Sequence, residues 1–185
     1  LVLGKVLSCV PFLRERIGRT VMWLKASQRG RLLDVGCGDG KLIYRLHKVG
    51  WDVVGIEPDG KAAKLVREKY SLDIHGCSLE EAKLPDASFD VITMQHVIEH
   101  LPDPLGTLSE CRRILRKDGM MLMVTPNTNS LGSEKYQQDW RGLEVPRHLY
   151  LFNPICLKMA LVMSGFALEK VTTLGSSASR MWVNS

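Results

Sequence analysis

The sequence has 185 residues, 45% hydrophobic and 24% charged, enough for one domain with a sizeable core and too evenly mixed for a collagen-like repeat, a coiled coil or a disordered tail. The net charge of +5 is held unevenly: residues 1–31 carry seven basic groups against Glu15 alone, and the remainder sets 18 basic against 19 acidic groups, which disfavours nucleic acid as a partner of the body. The five cysteines are far apart and form no C-x-x-C pair, so they suit reduced thiols in a cytoplasmic protein better than a zinc or disulfide framework.

Residues 1–28 read as a basic amphipathic helical segment, interrupted at Pro11. Lys5 and Pro11 leave it too short and too charged to span a membrane, and Arg14-Glu15-Arg16 stands where a leader peptide would need small residues. Packing on the domain, closing over its site, or peripheral contact with an acidic membrane are the roles it suggests, beside the plainer one of a solvated helix with a few anchoring leucines. The chain begins at Leu1 without a methionine, as expected of a piece of a longer protein.

From residue 29 to 185 a single domain is expected, in which short apolar runs alternate with segments of helical period. Strands are predicted at Arg31–Val35, Asp52–Glu57, Leu72–His75, Phe89–Gln95, Met120–Thr125 and Phe166–Leu174. Helices fall between them at Lys41–Val49, Gly60–Tyr70, Leu105–Arg116 and Pro154–Ser164. Asp59 and Asn153 are suited to N-caps, and Gly50, Gly119 and Gly165 to left-handed C-caps. The pattern is that of an α/β domain with a parallel sheet. One connection, Asn127 to Phe152, is long enough to suggest a lid or binding loop.

The first strand runs straight into Asp34-Val35-Gly36-Cys37-Gly38-Asp39-Gly40 and a helix start. Glycines there allow a sharp turn and close approach of a ligand to the free N–H groups of the next helix. Glu57 closes the second strand 21 residues beyond Gly36, the spacing at which an acid reaches a ribose in a βαβ unit. The turn departs from the G-x-G-x-x-G of dinucleotide sites, and Asp34 and Asp39 would repel a pyrophosphate. A nucleoside with a cationic amino-acid end suits it better, which places a nicotinamide-dependent oxidoreductase behind.

His96-Val97-Ile98-Glu99-His100 spells an inverted zinc-protease motif. It follows directly on a strand and precedes Pro102 and Pro104, so it lacks the helix such a zinc site needs, and no metal is expected. Gln95 and His96 fall instead at the carboxyl end of the fourth strand, beside the switch point where open α/β sheets bind ligands. The long connection gathers Trp140, Arg141, Arg147, His148 and Tyr150, residue types that shape a pocket and hold an acidic substrate, or else simply anchor the loop.

Taken in order, Leu33 to Gly40, Gly55-Ile56-Glu57-Pro58, Leu84 to Ile92 with His96 to Pro104, and Ile114 to Gly119 leading to Thr125-Pro126-Asn127 resemble the class I S-adenosylmethionine-dependent methyltransferases. The likeness is strongest to the small-molecule branch that includes quinone-biosynthesis methyltransferases. It covers roughly residues 28 to 174 and implies a Rossmann-like, doubly wound, mostly parallel sheet with helices on both faces. The fold of that family has seven strands, and here the last is expected to be missing or incomplete. The resemblance implies S-adenosyl-L-methionine as cofactor, its methionine end along Asp34, Gly36, Cys37 and Gly38, its ribose on Glu57, and its adenine among Pro58, Cys77, Ser78 and Leu79. Gln95 joins that set. Cys77 departs from the family, whose members often carry Asp there. A small-molecule acceptor is implied, with His148, then His96, then His100 as candidate catalytic bases, and Trp140, Arg141, Arg147 and Tyr150 around the substrate. A catalytically idle cofactor-binding or scaffold domain is the other reading, and nothing in the sequence sets the oligomeric state.

Overall fold

The computed structural model describes residues 22, 24 and 29–173, and the backbone of 178–184. The expected helical segment at 1–28 lies outside the described residues except for Met22 and Leu24, both buried. Five strands, β1 (Arg31–Val35), β2 (Asp52–Ile56), β3 (Asp73–His75), β4 (Phe89–Gln95) and β5 (Leu115–Pro126), form the parallel part of the sheet. Two more, β6 (Ala167–Thr173) and β7 (Ala178–Asn184), complete it in the order β3-β2-β1-β4-β5-β7-β6. The helices are α1 (Lys41–Lys48), α2 (Gly60–Tyr70), α3 (Pro104–Ile114), α4 (Leu131–Tyr136) and α5 (Pro154–Met163).

The strands sort their side chains by period two, as a sheet covered on both faces requires. Leu32, Val53, Val91, Leu122 and Val124 pack with Ile43 and Leu46 of α1 and Ala63 and Val66 of α2. Their neighbours Leu33, Val54, Ile92, Met121 and Met123 pack on the opposite side with Leu108, Cys111 and Ile114 of α3 and Leu157 and Leu161 of α5. The doubly wound architecture expected from the sequence is thus present. Asp59 caps α2 by accepting from Lys61 N and Ala62 N, and Asn153 caps α5 by accepting from Ile155 N and Cys156 N.

Three expectations need correction. The last strand is not missing: β7 lies antiparallel between β5 and β6, with Met120 to Pro126 opposite Asn184 to Ala178. Gly119 caps no helix, because α3 stops at Ile114 and β5 begins at Leu115, which pairs with Phe89 ahead of a register shift. The connection from Asn127 to Phe152 is not bare loop; it holds α4 and a short 3-10 turn at Gln137–Asp139.

The order of strands reverses between β1 and β4. The chain moves outward through β2 and β3 on one side and through β5 on the other, which opens a crevice at the carboxyl ends of β1 and β4.

Candidate active site

At the end of β1 the backbone turns on glycines. The amides of Gly36 and Cys37 both donate to Ile56 O, at 2.8 and 2.9 Å, which ties the turn to β2. Gly36 has φ +73°, and a Cβ there would lie 2.4 Å from Val97 Cγ2. Gly38 has φ +54°, yet a Cβ at this position would meet no heavy atom within 4 Å. The first glycine is therefore needed for packing, and the second presents bare backbone to open space.

That space is a cleft of about 420 Å³ lined by Asp34, Gly36, Cys37 and Gly38 of the turn and by Gln95 and His96 after β4. Lys41, Leu42 and Arg45 of α1 line it too. Sequence reasoning missed these three; the four-residue spacing of Lys41 and Arg45 on a helix that opens at the glycine turn was the available signal. Lys41 Nζ pairs with Asp39 at 2.6 Å on the surface.

Two carboxylates organise the turn. Asp34 is 3% exposed and accepts from Thr93 Oγ1 at 2.7 Å. Burial pushes its carboxyl up to about 7; the Thr93 hydrogen bond opposes this, and the charge of Glu57 adds to it. Glu57 reaches across from the end of β2, its Oε2 accepting from Gly38 N at 2.9 Å and its Oε1 from Asp59 N at 3.0 Å. The Cys37 thiol between them is pushed up to about 12 by burial and by Asp34 and Glu57, so it stays protonated and is no nucleophile.

The residues expected around an adenine do not line the cleft. Pro58 is exposed beside Glu57, and Cys77 is a partly buried free thiol. Ser78 and Glu81 form a reciprocal cap, Ser78 N donating to Glu81 Oε2 at 2.9 Å and Glu81 N to Ser78 Oγ at 3.2 Å. The Leu79 side chain is part of the core, which leaves only its backbone for a ligand.

The three histidines separate into two places. His96 has φ +54°, donates its amide to Val124 O at 2.8 Å and turns a half-exposed ring into the cleft. Its Nδ1 lies 3.3 Å from Oε1 of Glu99, a buried carboxylate whose Oε2 accepts from Thr125 Oγ1 at 2.8 Å. Burial alone would raise the Glu99 carboxyl, but the hydrogen bonds from His96, from backbone and from Thr125 hold it below the usual range. His100 and His148 lie apart from the cleft lining, edge to face at 4.7 Å between ring centroids. Their Nδ1 atoms donate to Arg147 O at 2.9 Å and Gly142 O at 2.7 Å. A donor atom from each of Glu99, His100 and His148 falls within one 4.8 Å group, although both Glu99 oxygens are already engaged.

The remaining residues of the long connection pin it down. Leu149 N and Tyr150 N donate to Glu99 O, at 2.8 and 3.2 Å, and Tyr150 Oη donates to Pro102 O at 3.2 Å. Trp140 is buried and packs under Gly142, whose added Cβ would strike its ring at 2.3 Å. Arg141 and Arg147 are exposed on either side of Glu144. Glu99 and Thr125, which lie in motifs of the sequence but were not among its candidate site residues, thus join the cleft histidine to the connection above it.

Known proteins resemble this chain in sequence and in fold. The family profile described as "Methyltransferase domain" matches residues 12–171. A probable S-adenosylmethionine-dependent methyltransferase of Mycolicibacterium smegmatis is 41% identical over 97 residues, 52% of this chain and 38% of that protein. A ubiquinone biosynthesis O-methyltransferase of Cereibacter sphaeroides is 33% identical over 139 residues, 65% of this chain and 56% of that one. The chain therefore spans well under two thirds of either relative. Among solved structures, a possible histamine N-methyltransferase from Thermotoga maritima superposes with a TM-score of 0.71 at 20% identity, over 90% of this chain and 86% of that one. An S-adenosylmethionine-dependent methyltransferase from Mesorhizobium loti gives 0.72 at 15% identity, over 91% and 96%. At such identities the two structures speak for the fold alone.

Proposed function

Because the chain belongs to the S-adenosylmethionine-dependent methyltransferase family, we propose that it transfers a methyl group from S-adenosyl-L-methionine to the hydroxyl of a small molecule. The observation that carries this reading is that an acid-flanked glycine turn and a histidine line one and the same cleft. The cofactor fits the residues present: bare backbone at Gly38 beside open space, a buried carboxyl at Asp34, and a ribose-spaced acid at Glu57.

Bound there, S-adenosylmethionine would supply an electrophilic methyl on a sulfonium, which the acceptor would take in line as the carbon–sulfur bond breaks and S-adenosylhomocysteine leaves as a thioether. Asp34 would receive the ammonium of the amino-acid end, which would run past the bare backbone of Gly38, the amides of Gly36, Cys37 and Gly38 being already engaged. Glu57 already accepts one hydrogen bond on each oxygen, and each oxygen keeps a further lone pair for a ribose hydroxyl. The turn therefore need not open. Pro58 offers a flat apolar surface to the adenine, whose edge is left to backbone groups after Cys77, since the Ser78 hydroxyl is engaged in its cap. His96, on the opposite wall, takes the acceptor's proton as the new bond forms.

The rest of the rate comes from orientation of the reacting groups, which can lower such a barrier by roughly 7–11 kcal/mol. The relative named for O-methylation in ubiquinone biosynthesis supports a hydroxyl acceptor. No helix among the described residues is long and apolar enough to cross a membrane.

The test is incubation with methyl-labelled S-adenosylmethionine and a panel of phenols and catechols, reading labelled product and S-adenosylhomocysteine in equal amounts. Calorimetric titration runs beside it. Tight binding of NAD with no response to S-adenosylmethionine would remove the proposal.

A further inference from the structure

We propose that Glu99 is the positioning residue of the reaction: its buried carboxylate fixes the ring of His96 so that Nε2 carries the lone pair that meets the acceptor. This rests on the methyl-transfer reading above and gives its base a partner.

The geometry is asymmetric in a useful way. An ionised carboxylate only accepts hydrogen bonds, so the 3.3 Å contact between Glu99 Oε1 and His96 Nδ1 requires the hydrogen on Nδ1. The neutral ring is then left with a basic Nε2, the atom free to face the cleft that His96 lines. Glu99 itself cannot swing away, because Thr125 Oγ1, at the end of β5, donates to its other oxygen at 2.8 Å. The carboxylate is 1% exposed, and its hydrogen bonds hold it in the ionised form. A half-exposed histidine with no such partner would populate both tautomers and several rotamers, and only a fraction of molecules would present a base in the required direction.

The contacts of Glu99 divide cleanly between side chain and main chain. The carboxylate serves His96 and Thr125, and the backbone oxygen receives Leu149 N and Tyr150 N from the long connection. Exchanging the carboxylate for an amide of the same shape therefore leaves the connection's anchor in place, and because the Thr125 hydroxyl can accept as well as donate, the amide can turn either its oxygen or its NH2 to Nδ1 and no longer dictates the tautomer.

The experiment uses the whole chain, the wild type beside Glu99→Gln, His96→Gln and the double variant. Long-range nitrogen–proton spectra of the ring at neutral pH should show His96 protonated on Nδ1 in the wild type and as a tautomer mixture in Glu99→Gln. With S-adenosylmethionine and 3,4-dihydroxybenzoate as the probe acceptor, Glu99→Gln should lower kcat at least about tenfold and leave the KM for S-adenosylmethionine within about twofold. In the His96→Gln background the same change should cost nothing more, since a positioning group has nothing left to position. A wild-type ring protonated on Nε2 overturns the proposal even where Glu99→Gln fails to fold. Equal and additive losses in the two backgrounds overturn it as well, by returning Glu99 to a structural role. A wild-type chain that ignores S-adenosylmethionine defeats the methyl-transfer reading instead, and the ring spectrum still judges the pair.

Discussion

Asp34 sets stability against binding. An unfolded aspartate titrates near 4, whereas burial, against the Thr93 hydrogen bond and with the charge of Glu57, puts the folded carboxyl at about 7. Between those values the folded chain holds a proton that the unfolded chain has lost. The stability this confers is complete below the unfolded value and drains away as pH rises through about 7. Asp34→Asn keeps an acceptor for Thr93 and removes the titration, so its stability relative to the wild type should grow between pH 5 and pH 8, by on the order of 1–3 kcal/mol. Urea denaturation at the two pH values measures this; a constant difference would refute it. The affinity of the wild type for cationic S-adenosylmethionine should rise over the same interval, and that of Asp34→Asn should stay flat. Glu57→Ala should raise the dissociation constant for S-adenosylmethionine at least about tenfold, the scale of a lost charge-assisted hydrogen bond; an unchanged calorimetric constant would contradict the ribose assignment. Both acids were legible in the sequence because their meaning lies in spacing from the glycines. Glu99 was not. Its partners are a histidine three residues away and Thr125 26 positions later, and no local pattern reports burial in a turn.

The element most sensitive to substitution is the turn between β1 and α1. Gly36→Ala must place a methyl 2.4 Å from Val97 Cγ2 at φ +73°, and a loss of about 2 kcal/mol or more is expected, read from chemical denaturation. Adding Val97→Ala should recover part of it by removing the collision, while the backbone strain remains. No recovery would mean that the collision contributes nothing. Helices α2 and α5 were legible because the caps Asp59 and Asn153 are local signals, as is the periodic burial of Ala63 and Val66 in α2. The early start of β5 was not, since Leu115 to Gly119 read as a helix end and the pairing of Leu115 with Phe89 overrides that propensity. Nor was α4, which buries none of its six residues and so leaves no apolar stripe to detect.

For the molecule as a whole, the sheet depends on its last strand. β7 supplies partners to β5 at seven residues and to β6 at six. Cutting the chain after Thr173 should expose the inner edge of β5 and leave β6 unpaired, giving an aggregating or partly unfolded product by size-exclusion chromatography and near-UV circular dichroism. A monomeric truncated chain with a cooperative thermal transition would show that β7 is dispensable. The parallel core, its helices and the switch-point cleft followed from the alternation of elements. The place of β7 did not: it enters antiparallel between strands laid down before it, and topology of that kind is settled by pairing across the molecule.

The same inserted strand orders events during synthesis. The ribosome releases the stretches that become β5 and β6 before the one that must fit between them, so the nascent chain has to keep a slot vacant while its own edges are adhesive. Until residue 184 clears the exit tunnel, the five parallel strands and their cleft can form on one side of a half-finished sheet. In that interval the backbone groups of β5 that β7 will pair have no strand beside them.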